Sequence, residues 1–330
     1  PPRTMKVPFL RLLLLAIVTA LAARAADLKL GMIGLDTSHV VVYLKLFNDP
    51  KNKDYVPGAK IVAAFKGGSA DIESSASRVE GYTKTAVEEY GVKLYDSIEE
   101  MSKHVDGIII FSVDGRPHLD QFRRTLAAKK PVFIDKPFAG TLKDAVEMRR
   151  LARENNIPCW SSSSLRYSPD QPAKDLAKIG QVTSVYSFGP CELEPHHPDL
   201  FWYGIHTVEA MYTVLGRGCV TVTRAHTVNT DIVTGIWSDG RVGVMQGNRA
   251  GHKGYGMTVL GTKGKLVGGE KQSYVPLAQA MMAFFQGGPA PVSLDDTVEI
   301  LAFMEAADES KRRGGAPVSI ADVMKAAGAK

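Results

Sequence analysis

The stretch 31-GMIGLDTSHV-40 decides how the first half of the chain folds. An apolar run (Leu28, Leu30, Met32, Ile33) ends in Gly34, and a helix-forming run from Val40 to Phe47 follows. Strand, glycine turn and helix make the opening unit of a dinucleotide-binding fold, in which the helix N-terminus receives the phosphates. The fingerprint G-x-G-x-x-G asks for glycine at 36 and 39, where this chain has Asp36 and His39. Asp36 brings a carboxylate towards phosphate charge, and His39 a ring to a place of close helix–strand packing. Thr37 and Ser38, good N-cap types, offer hydroxyls instead. Gly34, Asp36, Thr37, Ser38 and His39 are thus the first candidate cofactor residues. The other reading of this turn is a plain capped βα connection.

Outward from this turn, apolar strands at 28–34, 61–66, 92–95, 107–113, 132–135 and 158–160 alternate with helical stretches at 38–47, 74–90, 98–103, 118–128 and 142–155. The run DGIIIFSV (106–113) is apolar on both faces, as a central parallel strand covered by helices must be. Residues 27–160 therefore read as an α/β Rossmann domain with a doubly wound parallel sheet. The grammar changes after Ser161. GQVTSVYSFG (180–189), CVTVTRAHTV (219–228), DIVTGIWSDGRVGVMQG (231–247) and YGMTVLGTKGKLVG (255–268) are β-rich, with turns at Ser238-Asp239-Gly240 and Thr262-Lys263-Gly264. A helix at 203–215 ends at Gly216, read as a left-handed cap, and another spans 295–310. Residues 161–330 are predicted to form an α+β domain with a large open, mainly antiparallel sheet.

The chain has 330 residues, 45% hydrophobic and 23% charged, a globular composition. Residues 1–26 read as a secretory signal: Lys6 and Arg11, an apolar stretch from Leu12 to Ala22, and Ala23-Arg24-Ala25 before a cleavage site at Ala26. That segment carries four basic residues and no acid, so the formal charge of +5 drops to +1 without it. The remaining charge argues against a nucleic-acid surface, and no membrane association is expected after the signal is removed. The expected location is periplasmic or extracellular. Cys159, Cys191 and Cys219 are dispersed, without metal spacing, and at most one pair of them bridges.

Lys66, followed by Gly67 and Gly68, ends the second strand where an NAD site carries an acid. It reads either as a reader of the NADP 2′-phosphate or as a solvated loop lysine. The segment VFIDKPFAG (132–140) puts Asp135 and Lys136 at the carboxyl edge of the sheet, where such folds bind ligands. A desolvated lysine there acts as proton donor or acceptor, and Pro137 makes a cis peptide admissible. Ser112 lies near the end of the fourth strand, and Asp114, Arg116 and His118 follow it at the same edge. His118 reads either as lining the nicotinamide side or as an ordinary first-turn residue. Glu192, Glu194, His196 and His197 are metal-capable, but their spacing fits no standard site and no metal is assigned.

Four segments of the chain resemble the glucose–fructose oxidoreductase and inositol dehydrogenase family (Gfo/Idh/MocA). Asp135-Lys136-Pro137 is similar to its E-K-P, and SVDGRPHLDQ (112–121) to its T-P-N-x-x-H, with His118 in the histidine place. SLRYSP resembles its R-[FY]-x-P through Arg166, Tyr167 and Pro169, and FWYGIHTVEAMYTVLG its D-x-G-x-H-x-x-D helix. The resemblance implies a tightly held NAD or NADP and hydride transfer at a sugar, polyol or cyclitol carbinol. It gives Lys136 and His206 the catalytic roles, and places Ser112, Asp114, His118, Asp135 and Lys136 on the cofactor side. Arg166, Tyr167, Trp202 and Glu209 fall on the substrate side. Trp202 stands for the family's first aspartate and Glu209 for its second; Trp202 either stacks a sugar ring or fills the core. On helical spacing Trp202, His206, Glu209 and Thr213 share one face. The resemblance also suggests homo-oligomerisation through the C-terminal sheet. Two other functions suit the same scaffold: a non-redox sugar lyase or hydratase using Lys136 and His206, and an inactive carbohydrate- or partner-binding protein.

Overall fold

The computed structural model describes residues 27–329, so the expected signal at 1–26 lies outside the described residues. Strand β1 (Leu28–Ile33) buries its last four residues and runs parallel to β2 (Ala59–Phe65) and β4 (Gly107–Ile110). With β3 (Lys93–Leu94), β5 (Val132–Ile134) and β6 (Cys159–Ser161) they form a six-stranded sheet of order β3-β2-β1-β4-β5-β6. The order reverses between β1 and β4, and that switch point opens the crevice of a doubly wound sheet. The connecting helices are α1 (His39–Asn48), α2 (Glu73–Ala76), α3 (Val79–Lys84, continued by a π-turn at Thr85–Glu89), α4 (Ile98–Ser102), α5 (His118–Thr125) and α6 (Leu142–Glu154). Helices α4 and α6 begin on hydroxyl caps, the Ser97 and Thr141 side chains accepting from Glu100 and Asp144 N–H.

The turn after β1 depends on Gly34. Its φ is +88°, and a Cβ there would lie 2.4 Å from the Ser112 backbone nitrogen. Gly34→Ala therefore forces the β1 and β4 turns apart in a conformation that L-residues avoid. We expect a loss of several kcal/mol and a lower melting temperature, measurable by circular dichroism.

The second sheet has seven strands: β7 (Val182–Pro190), β8 (Cys219–His226), β9 (Thr230–Trp237), β10 (Val242–Asn248), β11 (Gly256–Gly261), β12 (Gly264–Gly268) and β13 (Val318–Ser319). Their order is β12-β11-β7-β10-β9-β8-β13. The pair β7–β10 is parallel and the other neighbours are antiparallel, giving the mainly antiparallel sheet the sequence implied. One face packs Val222, Val233, Trp237 and Met245 with Met211, Leu215 and Phe303 of α8 (Ile205–Leu215) and α10 (Leu294–Arg312). The opposite face leaves Ile236, Leu260 and Val267 exposed.

Four details depart from the sequence reading. Helix α9 (Val275–Phe285), unforeseen, returns from the second half and packs Leu277, Met281 and Phe285 into the first domain's core with Leu30, Phe47 and Ile109. The chain thus crosses back over the expected boundary at 160. A short α11 (Ile320–Ala326) was also unforeseen. The 203–215 segment is not one helix with Trp202, which ends the separate α7 (Asp199–Trp202). Gly204 stands at the junction, where a Cβ would press to 3.0 Å from the Leu200 carbonyl oxygen. Gly216 has φ +61° but ψ −166°, so it is not a left-handed cap. All three cysteines are free and buried.

Candidate active site

A cavity of about 500 Å³ opens where the carboxyl edge of the first sheet meets the second domain. Thr37, Ser38 and His39 line it from the start of α1, Val113 and Lys136 from the turns after β4 and β5, and Trp202, Tyr203 and His206 from around α7 and α8. Tyr255 and Tyr274 complete the wall, and Arg78, Glu194 and Lys253 bring charges to it. Five of the expected site residues (Thr37, Ser38, His39, Lys136, His206) and Trp202 therefore meet in one place. Trp202 also stacks obliquely on His197, ring centres 4.8 Å apart.

Lys136 follows β5 through the cis Lys136–Pro137 peptide. Its Nζ lies 5.4 Å from the Tyr203 ring centre. Burial lowers its pKa, and neighbouring Asp135 only partly opposes that. The His206 ring is buried, and its Nδ1 pairs with the Ser163 hydroxyl at 2.7 Å. Burial, then the neighbouring Lys136, push its pKa well below the ordinary value, so the ring is neutral at pH 7.

Glu209 does not reach the cavity. It accepts from the Ser162 hydroxyl at 2.7 Å, the Ser163 N–H at 2.8 Å and Arg166 Nε at 2.9 Å. The expectation that Glu209 and Arg166 touch substrate is corrected: each satisfies the other's buried charge. They fix the 162–166 turn, and Ser163 of that turn positions His206. Tyr167 packs edge-on to Trp160, with its hydroxyl buried, and also misses the cavity.

The remaining candidates on the cofactor side divide between the cavity rim and the underlying core. Asp36 is fully buried. Its carboxylate accepts from the Val113 N–H at 3.0 Å and the Ser75 hydroxyl at 2.6 Å, which ties the β1 turn to the β4 turn and to α2. Burial raises its pKa, although those two hydrogen bonds oppose the rise. Ser112 and His118 are buried beneath the turn and do not line the cleft. His118 sits between the Ser112 and Phe138 carbonyl oxygens, 2.9 and 3.2 Å away. Its place is thus inside the core, holding two sheet-edge loops together. Asp114 is buried with Ser69, Arg116 and His197, whose donors outweigh its burial and hold its pKa far down. Arg116 continues that chain of charges to Asp71.

Lys66 lies in a second groove of about 480 Å³ with Gly67, Gly68, Pro117 and Gln121, on the β2 side of the switch point, and there pairs with Glu80. The metal-capable residues disperse: Glu192 pairs with Lys253, His196 with Glu194, and His197 with Asp114. Among the described residues no group of three or more His, Cys, Asp or Glu side chains could hold a metal ion.

Sequence reasoning missed Ser163, Tyr203, Tyr255 and Tyr274. Ser163 lay inside the featureless run 161–164, and Tyr274 in a stretch that carried no motif. Asp135 was read as a cofactor residue, but it is buried, and its carboxylate meets His39 Nδ1 at 2.5 Å.

The profile of an oxidoreductase family with an NAD-binding Rossmann fold (GFO_IDH_MocA) matches residues 28–162, from β1 to just past β6. An uncharacterized oxidoreductase of Escherichia coli strain K12, YhhX, is 25% identical over 122 residues, 33% of this chain and 35% of that protein. The match thus spans about a third of that curated relative. Among solved structures, scyllo-inositol dehydrogenase from Lactobacillus casei with bound NAD(H) and scyllo-inositol is similar with a TM-score of 0.69. The identity is 17%, covering 89% of this chain and 99% of that one. An oxidoreductase from Agrobacterium radiobacter in complex with NAD+, L-tartaric acid and magnesium superposes with a TM-score of 0.71 at 17% identity, covering 90% and 99% of the two chains. At such identities the likeness is one of fold, and it extends over both domains. Residues 28–162 thus match the NAD-binding Rossmann domain of this oxidoreductase family, and the two-domain architecture is the one these solved structures share.

Proposed function

We propose that this oxidoreductase exchanges a hydride between tightly held NAD(P) and the carbinol carbon of a sugar, polyol or cyclitol. The observation that carries the reading is the convergence of Lys136 and His206, from different domains, on one cavity at the N-terminus of α1. The residues present fit a dinucleotide. The Gly34 turn has no room for a Cβ, Thr37 and Ser38 face the cavity, and the Asp36 carboxylate turns inward to two donors. Bound NAD(P) supplies the hydride acceptor or donor. Thr37, Ser38 and the first N–H groups of α1 would hold its phosphate oxygens, and Lys66, Gly67 and Gly68, which line the neighbouring groove, would hold its other end.

Lys136 and His206 hold and move the hydroxyl proton. Both have lowered pKa values, and His206, held well below its ordinary value, is the neutral base at pH 7. Trp202 offers an apolar face to the ring carbons. A homo-oligomer closing the exposed face at Ile236, Leu260 and Val267, and export directed by residues 1–26, complete the reading.

The test is to purify the chain without added cofactor, denature it, and analyse the supernatant by mass spectrometry. The intact protein is then assayed with myo-inositol, scyllo-inositol and glucose. Near-stoichiometric NAD(P) and turnover of a polyol support the reading. A protein that arrives empty and binds neither NAD+ nor NADP+ overturns it.

A further inference from the structure

His39 stands where the glycine fingerprint has its third glycine, and its side chain is engaged at both nitrogens. Nδ1 meets Asp135 Oδ2 at 2.5 Å, and Nε2 meets the Tyr274 hydroxyl at 3.0 Å. The ring is wedged edge-on among Tyr43, Phe111 and Tyr274, so it has one orientation. Asp135 is buried, yet His39 and then Lys136 outweigh that burial and keep it ionised. A carboxylate at Nδ1 fixes the tautomer: Nδ1 carries the proton and donates, so Nε2 accepts from the Tyr274 O–H. Tyr274 lines the same cavity as Lys136 and His206.

We propose that Asp135, His39 and Tyr274 form a second proton relay for this cavity, with Tyr274 as a catalytic residue that contacts the substrate hydroxyl. The inference rests on the proposed acid–base reading of that cavity. The arrangement follows the logic of a Ser-His-Asp triad, with a phenol in place of the serine. As a substrate O–H bond breaks, its proton passes to the Tyr274 oxygen, and the Tyr274 proton passes to His39 Nε2. The imidazolium then sits against the Asp135 carboxylate, a neutral pair, so no net charge is left in the buried site. The steps move protons only and run in reverse when a carbonyl is reduced. An unassisted phenol would be a poor participant, because burial, then Asp135 and Tyr203, push Tyr274 up to about 12. Here the phenol transfers its proton in concert and need not ionise. His39 and Asp135 are positioning residues; neither is argued to touch substrate.

Two measurements test this. In the full chain labelled with 15N-histidine at pH 7, the His39 signals are assigned by their loss in His39→Gln. We expect Nδ1 protonated, Nε2 bare, and the Nε2 shift displaced in Tyr274→Phe. A protonated Nε2, or one indifferent to Tyr274→Phe, overturns the relay. For turnover of whichever of myo-inositol, scyllo-inositol or glucose the native protein oxidises, Tyr274→Phe should lower kcat about a hundredfold with KM little changed. The double variant Tyr274→Phe/His39→Gln should be no slower than Tyr274→Phe alone. A kcat within about twofold of native in Tyr274→Phe overturns the proposal, even when Lys136→Met is inactive and the oxidoreductase reading stands. Should the native chain oxidise none of the three, that reading fails instead, and the nitrogen shifts decide the relay.

Discussion

Lys136→Met is expected to abolish the proposed polyol turnover, lowering kcat by about 10²–10⁴-fold, with the fold and melting temperature retained. The retention follows from the environment of the lysine. Burial lowers its pKa, so the folded protein disfavours the charged form, and a neutral side chain of similar length leaves Asp135 with His39, the larger of the two influences that hold it ionised. The loss of rate follows from its place in the cavity beside His206. Lys136→Arg separates two roles. An arginine keeps the charge but does not deprotonate, so it fails if the lysine moves a proton and succeeds if only charge is needed. We expect it to fail. The pH profile gives the same answer by another route: alcohol oxidation should rise with pH along a limb below the ordinary lysine value of 10.5, because Lys136 must lose its proton and its pKa is lowered. Steady-state kinetics and thermal melts of both variants check this, and a Lys136→Met protein that turns over normally would sink it.

Much of this architecture was legible because it depends on patterns with a fixed period. Runs apolar on both faces, such as 106–113, can only be central strands under helices, and the glycine turn at Gly34 has one common structural use. Lys136 was legible for the same reason, since residues at the carboxyl edge of a parallel sheet face the crevice. What stayed hidden depends on side chains that meet across long sequence distances. His39 and Tyr274 are 235 positions apart, and Ser163 and His206 are 43 apart. No periodicity encodes such pairs. The same holds for α9, whose apolar residues read equally well as packing for either domain until its contact with Leu30 and Phe47 is seen.

The two departures from the fingerprint were visible as substitutions, but their use was not. Asp36 looked like a charge set against phosphate. In the structure it is a buried tie between the β1 turn, Val113 and Ser75. His39 looked like a steric intrusion. Its ring instead fills the space beside Phe111 and Tyr43 and joins Asp135 to the cavity wall. A side chain replaces the close backbone contact that glycine would allow, and the helix is held to the sheet by hydrogen bonds as well as by packing.

Arg224→Met is expected to be the most destabilising of the variants outside the cavity. The Arg224 side chain is fully buried on β8 and joins three elements. Nε meets Asp231 Oδ1 on β9 at 2.9 Å, Nη1 meets Asp308 Oδ1 on α10 at 2.5 Å, and Nη2 meets Asp199 Oδ2 at the start of α7 at 3.0 Å. Removing the guanidinium leaves two carboxylates in the core with less compensation than they need. Breaking a buried ion pair from one side costs about 3–5 kcal/mol. For a chain of this size that lowers the melting temperature by on the order of 10 °C. The deficit should be largest at pH 8, above the value of about 7 to which burial pushes Asp308, where all three acids are charged.

The sign with acid is fixed by the same geometry. In the native chain Asp231 and Asp199 are held below the ordinary value, because donors from Arg224 and its neighbours outweigh burial. The stability they contribute is present above pH 4 and is lost as pH falls through their lowered values. In the variant Asp308 loses its guanidinium partner and Asp231 keeps only Arg249 and His226, so both take up protons more readily and the gap between the two proteins narrows as pH falls. Asp199 also begins the short helix that ends in Trp202, so the variant should bind substrate less well where it still folds. Thermal melts of Arg224→Met and native protein between pH 5 and 8 decide the matter. A gap that is small at pH 8, or that widens in acid, would show that the cluster contributes little and that packing alone holds α7 against the sheet.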